Sequence, residues 1–378
     1  MIETDTGATG NGRNFDGLDD QDAGGRGPGR GMTGPLTRRA VMAGLSTTLP
    51  ATVLAQPKVG APPTRLTAPY PVVGKVERHD PALDALIDSD ARVEKIMDGF
   101  VWAEGPVWIG GPGGYLLMSD PRANRIMRWS SREGPSEWLR HSGYAAESGW
   151  SYRLWEPGTN GLIAARGGLV AADSGNRIIA RLDLKTRTKQ VLASHFDGKR
   201  LNSPNDLALH PDGSIFFTDP PFGMTGGLNS RERELGFTGL FRLATDGSVT
   251  LIDDSMSPNG VGVSPDGRRL YCTDRSKWIW VMWDLDAQGR ATNKRQFIDP
   301  AKGAGGDGFK LDADGNMWSS SRDGVSIFDP QGARLGIIRL DDVVANCEIG
   351  ADGYLYIASN TRMARVPMRA RKLSFRTA

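Results

Sequence analysis

Cysteine and histidine are scarce in this chain: 378 residues include two Cys, Cys272 and Cys347, and four His, His79, His141, His195 and His210. The cysteines lie 75 residues apart with no CxxC pair or neighbouring His. That excludes a sequence-legible zinc or iron–sulfur site of the Cys/His kind. We read them as buried free thiols ahead of a disulfide, which stays open if the protein is exported. No apolar run approaches the ~20 residues of a membrane-spanning helix. Charge of one sign is also missing, since 46 basic and 44 acidic residues leave a net +2. This excludes the footprint of a nucleic-acid binder and an electrostatic membrane anchor, and it favours small, largely uncharged partners. There is no Gly-x-Ser-x-Gly nucleophile elbow. His210 stands just before a turn and reads as structural. What the chain has in quantity is glycine, 49 residues, placed in turns.

The N-terminal quarter divides by composition. Residues 1–36 are rich in Gly, Asp and Arg and poor in large apolar side chains, so disorder is expected there. Residues 37–55 contain Thr37-Arg38-Arg39-Ala40-Val41-Met42 and a mildly apolar stretch ending Val53-Leu54-Ala55. They read as a twin-arginine export signal cleaved after Ala55. The expected partner in transit is the twin-arginine export machinery and the expected location is the periplasm, or the cytoplasm if the signal is not used. Residues 56–97 read as a Pro-rich linker with a short amphipathic piece around Leu83–Ile87.

From residue 98 to 378 short apolar tetrads flank Asp-Gly or Gly-Gly turns, as in Asp206–His210 and Ser214–Thr218 around Pro211-Asp212-Gly213. This is a strong hairpin signature. Each hairpin is followed by a third strand, for example Arg177–Leu182, Gly239–Leu243 and Trp278–Met282. The turns begin at 112, 166, 211, 265, 313 and 351, a spacing of 38 to 54 residues. One four-stranded blade has this period, so the expected fold is all-β, a six-bladed β-propeller with a metal site on its central axis.

A polar residue recurs six positions before these turns, Asn160, Asn205, Asn259 and Asp307, with Ala345 in the sixth repeat and Asn346 beside it; Glu104 fits the same slot, six before Gly110, where the longer first turn Gly110–Gly114 opens. Equivalent positions of a closed repeat converge on its axis. Singly, each such residue could be an Asx turn satisfying local backbone. Together, carboxylates among amides at a channel mouth are costly unless a cation compensates them, and oxygen donors suit a hard one.

At these residues the chain resembles the gluconolactonase family, the group that includes senescence marker protein 30 (regucalcin). The matching segments are Ala103–Trp108, Glu156–Gly161, Asn202–Leu207, Phe217–Gly223, Ser257–Gly260 and Asp307-Gly308, in order, and they look closest to exported bacterial members. The resemblance implies one divalent cation, Ca²⁺ first, with Mg²⁺, Mn²⁺ or Zn²⁺ as alternatives, held by Glu104, Asn259 and Asp307, with Asn205 reaching the metal or its bound water and substrate. It implies Asp307 as the general base, and Asn160, Asn205, Asp206 and Ser203 as substrate-binding residues. Two departures stand out. Animal members carry an arginine where Ser203 stands, although Ser203 fits the bacterial pattern. Gly306 replaces a proline, which is expected to loosen the backbone before Asp307.

The expected activity is metal-dependent hydrolysis of a small-molecule sugar lactone, of the glucono-1,5-lactone type. The alternatives are an esterase, phosphoesterase or non-sugar lactonase on the same propeller, favoured by Tyr144, Trp150, Tyr152 and Trp155, and a non-catalytic binding propeller. Trp102, Trp108, Trp155, Trp278 and Trp280 could wall a sugar pocket, but most are expected to be packing.

Overall fold

Asp-Gly turns set the hairpins. In Pro211-Asp212-Gly213, Gly213 sits at φ +84°, a backbone that glycine adopts without the Cβ penalty. Ser214 N donates to Asp212 Oδ1 at 2.7 Å, closing the turn. The same chemistry recurs at Pro265-Asp266-Gly267, where Arg268 N donates to Asp266 Oδ1 at 3.0 Å.

The computed structural model describes residues 62–145, 154–298, 306–321 and 323–375. They fall in one compact unit spanning 54–378. The expected disordered extension (1–36), the export signal (37–55) and Trp150 and Tyr152 lie outside the described residues.

The fold is all-β. Two strands come first, β1 (Val72–Arg78) and β2 (Val93–Asp98). Antiparallel four-stranded sheets follow in chain order. The first holds β3 (Glu104–Ile109), β4 (Tyr115–Asp120), β5 (Arg125–Ser130) and β6 (Gly134–Arg140). The second holds β7 (Leu162–Ala165), β8 (Gly168–Asp173), β9 (Ile178–Leu182) and β10 (Lys189–Ala193). A small hairpin of β11 (His195–Phe196) and β12 (Lys199–Arg200) precedes the third, β13 (Leu207–Leu209), β14 (Ile215–Asp219), β15 (Gly239–Leu243) and β16 (Val249–Asp253). The fourth is β17 (Pro258–Val263), β18 (Arg269–Asp274), β19 (Ile279–Leu285) and β20 (Ala291–Gln296).

The last seven strands and the first two make one continuous nine-stranded sheet. It contains β21 (Phe309–Leu311), β22 (Met317–Ser321), β23 (Gly324–Phe328), β24 (Arg334–Leu340), β25 (Asn346–Ile349), β26 (Tyr354–Ser359) and β27 (Arg362–Pro367), in the order β21-β22-β23-β24-β1-β2-β27-β26-β25. Thus β2 supplies the outer strand beside β27, and β1 bridges it to β24. This corrects the reading of 56–97 as a linker: Val76 pairs with Ile338, and Val93, Ile96 and Met97 are fully buried. The amphipathic piece forms a single 3-10 turn at Pro81–Ala85, capped by Asp80, and it buries Leu83 and Ile87 against the same sheet.

Sheets stack face to face, so a middle strand is covered on both sides. Phe216 and Phe217 are adjacent and fully buried, and side-chain alternation sends them to different cores. Phe217 packs with Val170, Ile179 and Phe241, whereas Phe216 packs with Val261, Cys272 and Val281. Continuous apolar tetrads follow from this double burial, each such ring contributing roughly 1.5–3 kcal/mol. The innermost strands touch in cyclic order, β3 to β7, β13, β17, β21 and β25, and β25 returns to β3.

Candidate functional site

The recurring polar residues lie at or just before the innermost strands, and backbone bonds tie one repeat to the next. Gly161 N, following Asn160, donates to the carbonyl of Asn205 at 2.7 Å; Gly260 N, following Asn259, donates to that of Asp307 at 3.0 Å; Gly308 N, following Asp307, donates to that of Ala345 at 2.8 Å. Gly105, following Glu104, lies so close to the carbonyl of Asn160 that a Cβ would collide with it. Where the chain has Asp206 instead of glycine, the Asp206 carboxylate accepts from Val261 N of the next repeat. The six-residue phase seen in the sequence is therefore a register between neighbouring repeats.

Glu104 is 3% exposed. Gly105 N donates to its Oε2 at 3.0 Å and Trp102 Nε1 to its Oε1 at 3.4 Å. Burial, then the charge of Asp307, pushes its carboxyl well above the ordinary range. Asp307 stands at the partly open mouth and is pushed up to about 7, first by burial; Arg275, which stacks on Trp278 at 3.4 Å, opposes the shift, as does a hydrogen bond from the Asn259 amide, while Glu156 adds to it. Asp206 is raised by burial against the pull of Lys310, and its Oδ2 is buried with no hydrogen-bond partner. Glu156 was not foreseen as a site residue, yet it is buried beside this group, accepts from Asn160 Nδ2 at 3.3 Å and is raised by burial against the pull of Arg122. The structure thus brings Glu104, Asn160, Asp206, Asn259 and Asp307 into one electrostatic neighbourhood, with Asn205 (5% exposed) linked to it through the Gly161 bond.

Among the described residues no three His, Cys, Asp or Glu side chains cluster closely enough to hold a metal by themselves. The further oxygen donors among the recurring residues are side-chain amides, those of the buried Asn205 and Asn259. An apolar cavity of about 280 Å³ lies elsewhere, around Leu162, Leu207, Val261 and Phe309 under Leu373 and Phe375. These strand residues are two positions past the polar ones, ~7 Å farther along. Glu104, Glu156, Asp206 and Asp307 do not line this cavity.

Residues 102–361 match the SMP-30/Gluconolactonase/LRE-like region. The chain belongs to this family. A gluconolactonase of Zymomonas mobilis is 37% identical over 309 residues, covering 78% of this chain and 86% of that protein. The solved gluconolactonase of Xanthomonas campestris is 30% identical, with a TM-score of 0.70 over 81% of this chain and all of that one. The solved regucalcin of Agrobacterium tumefaciens, at 18% identity, TM-score 0.57 and coverage of 74% of this chain and 93% of that one, shares the fold.

Ser203, expected to bind substrate, is 1% exposed, and its Oγ donates to Pro220 O at 2.7 Å and accepts from Gly223 N at 2.9 Å, which ties the hydroxyl into the fold. One expectation needs correction. Gly306 does not loosen Asp307. A Cβ at 306 would run into the Ser320 carbonyl, and Asp307 N donates to Ser320 Oγ at 2.7 Å. Cys272 and Cys347 are free and buried. His210 is held by the Gly267 carbonyl and by Asp212 N, in keeping with a structural role.

The sequence reading also missed a set of carboxylates at the ends of second strands. Asp120 accepts from Val101 N and Trp102 N, Asp219 from Asn202 N, and Asp274 from Ser257 N. Each anchors the loop that delivers the next polar residue: Glu104, Asn205 and Asn259. Their signal was present as Ser-Asp or Thr-Asp, 14 to 16 residues after that residue.

Proposed function

We propose that this protein is a six-bladed β-propeller hydrolase that opens sugar lactones, with one divalent cation on the axis among Glu104, Asn205, Asn259 and Asp307. The observation that carries the reading is a group of repelling carboxylates, the buried Glu104, Glu156 and Asp206 and the half-buried Asp307, all displaced upward from their ordinary range. Such a cluster is costly without a counter-charge. Its donors are all oxygen, which suits Ca²⁺, Mg²⁺ or Mn²⁺ and tolerates Zn²⁺. The closed order of contact among six innermost strands supports six blades.

When bound, the cation supplies Lewis-acid polarisation of the lactone carbonyl and lowers the pKa of water. The protein's own part begins with orientation: Gly105 N and Trp102 Nε1 fix the Glu104 carboxylate, and the Asn259 amide, by donating to Asp307, keeps its own oxygen free to face the site. Asp307 takes the proton of the attacking water as general base. It returns that proton to the ring oxygen as the acyl–oxygen bond breaks, which leaves the aldonic acid; its carboxyl then ionises to the aldonate and releases the second proton of the water to solvent. Asn160 and Asp206 are the residues that would hold substrate hydroxyls.

The test is proton release from glucono-1,5-lactone above the spontaneous rate, by the protein as purified, after chelation, and after return of each cation. Activity removed by chelation and restored by one ion supports the reading. Cation binding without activity moves the reaction to other esters, and no cation binding overturns the mechanism.

We also propose export through residues 37–55. Cleavage after Ala55 would leave β1 and every later strand intact. Fractionation of cells making the wild type and Arg38→Lys/Arg39→Lys decides this: export requires that the double variant stay uncleaved in the cytoplasm.

A further inference from the structure

Arg122 lies on the β4–β5 loop, two residues past Asp120, with its guanidinium clamped between two indoles. Its Cζ is 4.9 Å from the ring centroid of Trp102 and 4.9 Å from that of Trp155. Trp102 is the side chain that donates to Glu104 Oε1, and Trp155 is 58% exposed, so the stack leads from the acidic group out to solvent. Among the described residues no carboxylate lies within ion-pair distance of Arg122, and its buried Nε has no hydrogen-bond partner.

Two aromatic faces fix the plane of a guanidinium while leaving its in-plane N–H fork free, and that fork matches a carboxylate, sulfonate or phosphate. The charge balance of the mouth points the same way. Glu104, Glu156, Asp206 and Asp307 are offset by Arg122 near Glu156, Arg275 near Asp307 and Lys310 near Asp206. With all these groups ionised and a divalent ion bound, one positive charge remains for a substrate to neutralise.

We infer that Arg122 is the specificity-determining residue of an anion subsite, and that the lactones this protein takes carry an anionic group on the arm remote from the ring carbonyl. The inference rests on the lactonase reading for where the carbonyl sits, beside Glu104 and Asp307. Trp102 touches Glu104 through its Nε1 edge and Arg122 through its ring face, so one indole links the acidic group to the guanidinium. Trp155, the outer indole, holds the guanidinium from the solvent side.

The experiment uses the full chain with Ca²⁺ and compares kcat/KM for 6-phosphoglucono-1,5-lactone and glucono-1,5-lactone. The wild type should prefer the phosphorylated lactone by about tenfold or more, the value of one charge-assisted hydrogen bond. Arg122→Met, which keeps an apolar stem between the indoles, should lower that ratio by about tenfold, and Arg122→Lys should restore part of it. A structural role for Arg122 would lower both substrates together and leave the ratio unchanged, which overturns the inference; so does a wild type without preference.

A second readout does not need turnover. Quenching of indole fluorescence by 6-phosphogluconate and by gluconate should show tighter binding of the phosphate in the wild type and equal binding in Arg122→Met. If neither lactone is hydrolysed, the lactonase reading falls and the fluorescence comparison alone decides the anion subsite: phosphate-selective binding that Arg122→Met abolishes upholds it, and equal binding in the wild type rejects it.

Discussion

Asp307 donates its backbone N–H to the Ser320 hydroxyl at 2.7 Å. Its carbonyl accepts from Gly260 N at 3.0 Å and from Thr273 Oγ1 at 2.8 Å. The residue proposed as general base is thus gripped through its backbone by three neighbours, with its carboxylate free to face the mouth. Ser320→Ala removes one grip without touching the carboxylate. We expect a stability loss of about 1 kcal/mol and a fall in kcat of roughly tenfold with little change in KM, because the base is displaced and not the substrate. Ser320→Thr, which returns a hydroxyl, should recover most of it. A Ser320→Ala enzyme whose loss lies wholly in KM would remove this positioning role.

The buried acids make stability depend on pH in a direction set by their shifts. Glu104 and Asp307 are both raised, Asp307 to about 7. The folded protein therefore keeps protons that the unfolded chain releases above pH ~4. Their contribution is fully present at low pH and is lost as pH rises through about 7. Metal-free protein should unfold at a lower temperature at pH 8 than at pH 5.5, and an added cation should raise Tm more at pH 8. Glu104→Gln should raise the metal-free Tm at pH 8 and weaken the response to cation. Thermal unfolding at the two pH values, with and without chelator, checks this; a Tm independent of pH and of cation would mean the cluster is already compensated from within.

The parts of the site that were legible in the sequence are those fixed by local geometry. A hairpin turn and a short strand have set lengths, so six residues from Glu104 or Asn259 to its turn translate into one register around the axis. Glu156 and Arg122 were missed because they sit on loops, whose lengths vary between repeats and give no phase. The tie of the Ser203 hydroxyl into the fold was not legible because its partners, Pro220 and Gly223, are 17 and 20 residues away. The strands β1 and β2 looked like linker for the same reason: Glu77 pairs with Arg339, and Glu94 with Arg365, across more than 260 residues. Nothing in the local pattern of 56–97 reports partners at that separation.

Asp307→Asn is the most direct test of the proton-transfer role. The amide keeps an oxygen for a cation but cannot take a proton at neutral pH. kcat should fall by about 10²–10⁴-fold, the usual contribution of a positioned general base. Stability at pH 8 without metal should rise, since one of the repelling charges is gone. Cation affinity, read by calorimetry, should drop but persist. Full activity in Asp307→Asn would sink the assignment and leave Glu104, Glu156 and Asp206 as the remaining acids to test.

The anchoring carboxylates at the ends of β4 and β14 look equivalent in sequence but should respond differently to the same change. Asp120 is fully buried and accepts from Val101 N, Trp102 N and both Nε and a terminal nitrogen of Arg125, at 3.0–3.1 Å for the shortest contact of each donor. The Arg125 side chain is itself 3% exposed, so Asp120→Asn removes the buried counter-charge of a guanidinium that keeps Glu137 at 4.0 Å and the Gly99 carbonyl at 2.7 Å, at a cost of about 3 kcal/mol. Asp219 is pushed up to about 7 by burial, its Oδ1 has no partner, and its Oδ2 accepts from Asn202 N at 2.7 Å. An amide at 219 can keep that one bond and removes a charge that is costly at pH 8. Asp219→Asn should therefore cost less than about 1 kcal/mol at pH 8, whereas Asp120→Asn should also lower activity, because Trp102 positions Glu104. Denaturant unfolding of the two variants at pH 8 measures the difference, and equal losses would show that the loops, and not the ion pair, set the stability at these positions.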